Sequence, residues 1–238
     1  MGLREKQTAE RKRRILDAAD TLIRHSGGTE FSMRMLAEMA EVSPATPYNL
    51  FGSKEGILSA SLDRSLTRTV FEGLNIQSPE PLNFVITASA TAVDLLVTQK
   101  DLLRPLYQYL LGVVDPVHRP VHIKRSVYYW RTVAETGLSE YIGAQEMQSV
   151  DYDTITYMLF AHFLGLLELW IHEDIEDDVF RARAVYGALL IVTPFIPVEQ
   201  NGQIQRRLAD ARAILEKAIQ HKPRARKPRS AQKTEIEA

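Results

Sequence analysis

The stretch SMRMLAEMAEVSPATPYNLFGSKE, residues 32–55, decides the fold, and each part of it has a mechanical reading. Ser32 is placed to cap a short helix whose inner face is Leu36, Ala37 and Ala40, with Ala37 small enough to let a second helix cross closely. Val42 plugs the turn that follows. Ser43 is placed to cap the next helix, and Pro44 takes its first position, where a missing N–H costs nothing. Leu50 and Phe51 anchor the far end of that helix, so Ala45, Thr46, Tyr48 and Asn49 face outward. These short or planar groups suit base edges and phosphates, as a recognition helix in a major groove requires. Ser53 and Lys54 open a further helix, whose free N–H groups and lysine can hold a phosphate. Two short helices with a polar turn are also a common structural corner that binds nothing, so spacing alone leaves DNA binding open.

On both sides of this stretch the chain reads as helix. Apolar residues recur at three and four positions, with breaks at Gly27, Pro81, Pro116, Gly143, Pro194 and Gly202. The pattern predicts an all-α protein with helices over 8–25, 32–40, 44–51, 54–76, 82–99, 102–114, 117–135, 151–172, 177–193 and 202–220. No period-two strand and no internal repeat interrupts it. Length supports a small reading module and a larger second core, and three segments are expected. Residues 1–58 form a helix-turn-helix domain with a basic N-terminal arm, 59–221 a ligand-binding and dimerisation domain, and 222–238 a disordered basic tail.

Charge separates these parts. The net charge of −1 conceals +4 over residues 1–14 and +5 over 222–229, which leaves an acidic body. Basic ends that can meet phosphate are thus joined to a body that repels it, an arrangement that orients a protein on DNA. The 238 residues contain no cysteine, which excludes disulfides and thiol chemistry. No uninterrupted apolar run approaches about 18 residues and the start is charged, so a cytoplasmic protein is expected. His118 and His122 stand four apart, but no second cluster completes a metal site, and no cofactor or metal is expected. His172, Glu173 and Asp174 end a helix, and no phosphate loop or nucleophile elbow is present, so the chain reads as a non-enzyme.

The string Val42, Ser43, Thr46, Tyr48, Phe51, Ser53, Lys54, Glu55, preceded by Ile15-Leu16 in the first helix and by Phe31, closely resembles the N-terminal domain of the tetracycline-repressor (TetR) family. The resemblance covers residues 11–58 tightly and the remainder only by helical layout. Glu41 stands where the family usually has Gly, and Pro47 replaces a usual aliphatic residue. The first implies a strained turn, the second a recognition helix that survives with an altered first turn. The resemblance implies a transcription regulator, a repressor released by a small apolar or aromatic effector, working as a homodimer on a palindromic operator in double-stranded DNA, without a membrane. The rival reading is a helical ligand-binding or scaffold protein with an impaired DNA-reading domain.

Residues expected at the DNA are Arg11, Lys12, Ser32, Arg34, Ser43, Ala45, Thr46, Tyr48, Asn49 and Lys54. The density of large side chains suggests a pocket of Tyr107, Tyr129, Trp130, His162, Phe163, Leu166 and Trp170, with His122 a further polar contact. Segment 155–171 carries two apolar stripes, one through Ile155, Leu159 and Leu166 and one through Phe160, Leu164, Leu167 and Ile171, and therefore needs two partners. The second stripe, with Ala182, Tyr186 and Leu189 of the next helix, is expected at the dimer interface.

Overall fold

A computed structural model describes residues 2–74, 80–112, 116–139, 141, 151–197 and 201–220. The expected tail, 222–238, and the break at Gly143 lie outside the described residues. The described residues form ten helices and no strand: α1 (Leu3–Ser26), α2 (Met33–Met39), α3 (Ala45–Phe51), α4 (Lys54–Leu74), α5 (Pro81–Thr98), α6 (Lys100–Gly112), α7 (Arg119–Leu138), α8 (Tyr152–Ile171), α9 (Asp177–Val192) and α10 (Asn201–Gln220). The all-α reading therefore holds.

Helix α1 begins five residues before its expected start. Gly2 N donates to Glu5 Oε2 at 2.8 Å, and Arg13 bridges Glu10 and Asp17 one turn to either side, at 2.6 and 3.0 Å. Both the first turn and the charged middle are supported by such pairs. The basic stretch from Arg4 through Arg14 is accordingly helical.

Two apolar clusters hold the helices together. The first runs from Ile15, Ala19 and Ile23 of α1 through Leu36 of α2 and Ile57 and Leu62 of α4 to Leu103 and Leu106 of α6 and Trp170 of α8. The second joins α5, α7, α8, α9 and α10 around Val85, Tyr129, Val133, Ile155, Leu159, Leu189 and Ile204. Helix α4 is shared between the helix-turn-helix core and the body, so the expected boundary at 58/59 falls inside it.

Helices α5 and α8 contain 18-residue windows of mean hydropathy 1.4 and 1.5, long and apolar enough to cross a membrane by length and composition alone. This corrects the count of uninterrupted runs, because interspersed Thr, Ser and Gly break a run without lowering the mean below such a threshold. In this fold α5 is packed against α7 and α9, and α8 lies between α7 and α9.

Trp170 shows how the body is pinned. It is fully buried, stacks on Phe180 at 5.4 Å between centroids, and donates from Nε1 to Asp177 at 2.7 Å, while the Arg104 guanidinium sits 4.4 Å over its ring. Asp177 also accepts from Lys100 at 2.8 Å, and these contacts hold its carboxyl below the usual range against the opposing effect of burial. Trp170→Ala is expected to cost about 3–5 kcal/mol in denaturant unfolding, through the lost packing and the stranded polar partners.

Candidate nucleic-acid interface and ligand cavity

The helix-turn-helix is assembled from α1 through α4. Ser32 Oγ accepts from Met35 N at 3.1 Å and starts α2 as its cap. Leu36, Ala37 and Ala40 are buried against α1, and Val42, Leu50 and Phe51 are packed on the same core. Ser43 works differently from the expectation: its hydroxyl shares a 2.7 Å hydrogen bond with the Thr46 hydroxyl, and its carbonyl accepts from Thr46 N at 2.9 Å. No side-chain bond caps the backbone of α3, and Pro44 precedes its first residue with φ −54°.

Glu41 adopts φ +49°, a left-handed conformation that costs a side-chain-bearing residue about 1–2 kcal/mol. What holds it there is Arg14. Its Nε donates to the Ala40 carbonyl at 2.9 Å, its Nη2 donates to the carbonyls of Ala40 and Glu41, and it lies 3.7 Å from the Glu41 carboxylate. A charged donor from α1 thus satisfies carbonyl groups that the end of α2 and the turn would otherwise leave to water. Pro47 is buried inside α3, and the helix continues through it to Phe51. The far corner depends on a glycine that the sequence reading passed over. A Cβ at Gly56 would come within 2.2 Å of the Phe51 carbonyl oxygen, so only glycine lets α4 abut the end of α3 so closely.

The outcome is a short helix with Ala45, Tyr48 and Asn49 turned to solvent, Tyr48 being 52% exposed. Ser43 is exposed beside them, while Thr46 is half-buried. The expected phosphate contacts are more divided. Arg11 and Lys12 are exposed on α1, with Lys12 Nζ 5.8 Å from the centre of the Phe51 ring. Lys54 is half-buried with its Nζ 4.8 Å from the Phe31 ring centre, next to the start of α4, where Ser53 Oγ accepts from Gly56 N at 3.2 Å. Arg34 is tied to Glu38 on its own helix at 3.0 Å, and the Ser32 hydroxyl is occupied as a cap.

A cavity of about 130 Å³ lies in the body between α4, α5, α6, α7 and α8. Of the residues proposed for a pocket from the sequence, Tyr107, Tyr129, Trp130, Phe163 and His122 are among those that line it. Three expected members are elsewhere. His162 packs on Gly187 of α9, where a Cβ would meet its ring at 2.1 Å, and its Nε2 lies 3.1 Å from the Arg183 carbonyl. Burial there pushes its imidazole below the ordinary value. Leu166 is buried in the first core cluster, and Trp170 ends an aromatic chain that leaves the cavity through Phe163 and Phe180. Residues missed by the sequence reading include Arg119, Arg125 and Ser126 of α7 and Leu66 of α4, because their helical faces read as solvent or core without the third dimension. Burial drives the phenols of Tyr107 and Tyr129 far up, so both are neutral, and Tyr129 donates to the Ala88 carbonyl at 2.8 Å.

The face expected for pairing is turned inward. Leu167, Ile171, Ala182 and Leu189 are buried within the chain, Leu164 lines the cavity and Tyr186 packs partly on α10 and the core. A third stripe of α8 faces out instead, through Tyr157, Met158, Gly165 and Leu169, and Leu190 of α9 is exposed as well. An apolar helix with three stripes offers no sequence signal for which one the core takes.

Comparison with known proteins follows this geometry. The family model described as bacterial regulatory proteins of the TetR family matches residues 15–60, the segment that builds α1 through the start of α4. The match identifies residues 15–60 as a TetR-type N-terminal domain. It is 38% identical over 73 residues to the HTH-type transcriptional repressor KstR of Rhodococcus jostii, a match covering 31% of this chain and 34% of that protein, so it spans about a third of its curated relative. Among solved structures, a γ-butyrolactone receptor (ArpA-like protein) is similar with a TM-score of 0.54 and 15% identity over 89% of this chain and 99% of the other. TylP, a TetR regulator of Streptomyces fradiae, gives a TM-score of 0.55 and 15% identity over 92% and 94%. At such identity these likenesses show the fold over the share of the chain they cover and nothing finer.

Against the TetR pattern, Glu41 and Pro47 are departures that this chain accommodates by the Arg14 clamp and by burial of the proline ring. Arg14→Ala is expected to destabilise the chain by about 1.5–3 kcal/mol, the range for a charge-assisted hydrogen-bond group. Adding Glu41→Gly should return about 1 kcal/mol by relieving the left-handed residue, and urea unfolding of the single and double variants measures both.

Proposed function

We propose that this chain is a DNA-binding transcriptional repressor that works as a homodimer and is released from a palindromic operator by a small apolar or aromatic effector. The observation that carries the reading is α3 itself: its apolar side is locked into the core by Pro47, Leu50 and Phe51, while Tyr48 and Asn49 project into solvent. Asn matches the paired acceptor and donor of adenine in the major groove, and a tyrosine hydroxyl suits phosphate. Lys12 and Lys54 flank this face as cations for the backbone. The rival, a scaffold with an impaired reading head, drew its motive from Glu41 and Pro47. Both are absorbed without loss of the helix, which favours the regulator.

In this proposal residues 1–58 read DNA, 59–221 sense and pair, and the protein works in the cytoplasm. Pairing would use the outward stripe of α8 with Leu190 of α9, since 48% of Met158, 42% of Leu169 and 47% of Leu190 is exposed. A two-fold pair would set two copies of α3 on half-sites about one DNA turn apart. The relative described as a repressor supports the sign of control, and the solved neighbour described as a γ-butyrolactone receptor supports a small effector in the cavity.

Binding to the intergenic DNA beside the protein's own gene tests the reading by mobility shift across a salt series. Sequence-dependent, salt-sensitive binding is expected, and equal binding to scrambled DNA refutes it. Asn49→Ala should weaken operator binding by about 1–3 kcal/mol and relax the preference at one adenine without altering thermal stability. Lys12→Ala should weaken all sequences alike and lower the salt slope by about one. For pairing, Leu169→Glu is expected to shift the chain from dimer to monomer in light scattering, and a wild-type monomer at micromolar concentration overturns the dimer.

A further inference from the structure

The lining of the cavity is polarised along α7. At one end are Trp130 of α7 with Phe160 and Phe163 of α8, and at the other Arg119, His122 and Arg125. Arg119, His122, Ser126 and Trp130 follow at spacings of three and four, so one face of one helix changes from cationic to aromatic along its length. The separation from Arg119 to Trp130 is about 16 Å of helix axis at 1.5 Å per residue. Among the described residues, no Asp or Glu lines the cavity.

The acid nearest the cationic end stands behind it on α4. Asp63 Oδ1 lies 2.9 Å from Arg125 Nη1 and 3.3 Å from His122 Nδ1, and His122 Nε2 lies 3.2 Å from the Ser59 hydroxyl. Asp63 therefore answers Arg125 and His122 from outside the cavity. Arg119 forms no ion pair with a described acid, so the wall keeps a positive excess facing an otherwise apolar space. Such a wall discriminates by charge. A carboxylate gains charge-assisted hydrogen bonds in a poorly hydrated site, whereas a neutral ligand strips water from the guanidinium and gives back less.

Size narrows the ligand further. An apolar cavity of about 150 Å³ holds one benzene, and this one measures about 130 Å³. We propose that the cavity takes a small monocarboxylate with an apolar body the size of a single ring, its carboxylate on Arg119 and its body on the apolar lining that continues from there toward Trp130. This deepens the effector-sensing reading above and rests on it.

The test uses the full chain with 3-phenylpropionate and its neutral isostere 3-phenylpropionamide, titrated by calorimetry and by quenching of tryptophan fluorescence. The acid is expected to bind about tenfold or more tighter than the amide. Arg119→Gln should remove that preference while leaving the amide affinity within about twofold, and Arg119→Lys should restore part of it. Because Arg119 is only half-buried, the variants are expected to fold, and circular dichroism checks this. Equal affinity for acid and amide, a preference that persists in Arg119→Gln, or binding of neither probe overturns the proposal. Operator binding is measured on the same samples. A chain that binds its operator but shows any of those three results loses only the carboxylate assignment, whereas one that binds no operator loses the regulatory reading beneath it.

Discussion

The orientation of α3 depends on a single guanidinium. Arg14 reaches from α1 to the carbonyls of Ala40 and Glu41, at the point where the chain must reverse between α2 and α3. The reversal uses a left-handed residue, and glutamate is a poor choice for it on steric grounds alone. A charged donor shared between two adjacent carbonyls fixes the peptide planes on either side of that residue, which is what keeps the strained conformer populated. Everything downstream in the reading head inherits that geometry. Val42 enters the core, Ser43 meets Thr46, and the outward direction of Tyr48 and Asn49 is set before Gly56 closes the corner with α4.

Helix α4 carries this head into the body. Its first turns supply Ile57 and Leu58 to the core beneath α1, and its middle supplies Leu62, Leu66 and Asp63 to the region around the cavity. Arg64 adds a second tie, pairing with Asp17 and Asp20 of α1 at 2.6 and 2.5 Å. One rigid helix thus touches both the reading head and the cationic wall of the cavity. A ligand that rearranged that wall would act on the head through contacts already in place, provided that its affinity differed between two positions of α4.

Several features were legible in the sequence because they rest on local chemistry. Ser32 caps α2 since a hydroxyl three residues before a free N–H can do so wherever it occurs. Leu36, Ala37 and Ala40 are internal because helical spacing leaves a short amphipathic helix one apolar side. The cavity was read in part: Tyr107, Tyr129, Trp130 and Phe163 were large groups on helices expected at the centre, and they line it. The stripes of α8 were misassigned for a reason that spacing cannot remove. Leu164, Leu167 and Ile171 are as regularly spaced as Tyr157, Gly165 and Leu169, and only the positions of α5, α7 and α9 decide which row is covered.

By itself the sequence determined the helical class, the helix-turn-helix and the outward side of its second helix, because these follow from hydrogen bonds and spacings within about twenty neighbouring residues. Tertiary structure alone decided that Arg14 holds Glu41, that Trp170 is a buried pillar and that Arg119 and Arg125 look into a cavity. The Arg14 contact joins residues 26 positions apart, and partners at that distance are chosen by how whole helices pack. Packing direction depends on the summed burial of every helix at once, a quantity that no local pattern contains.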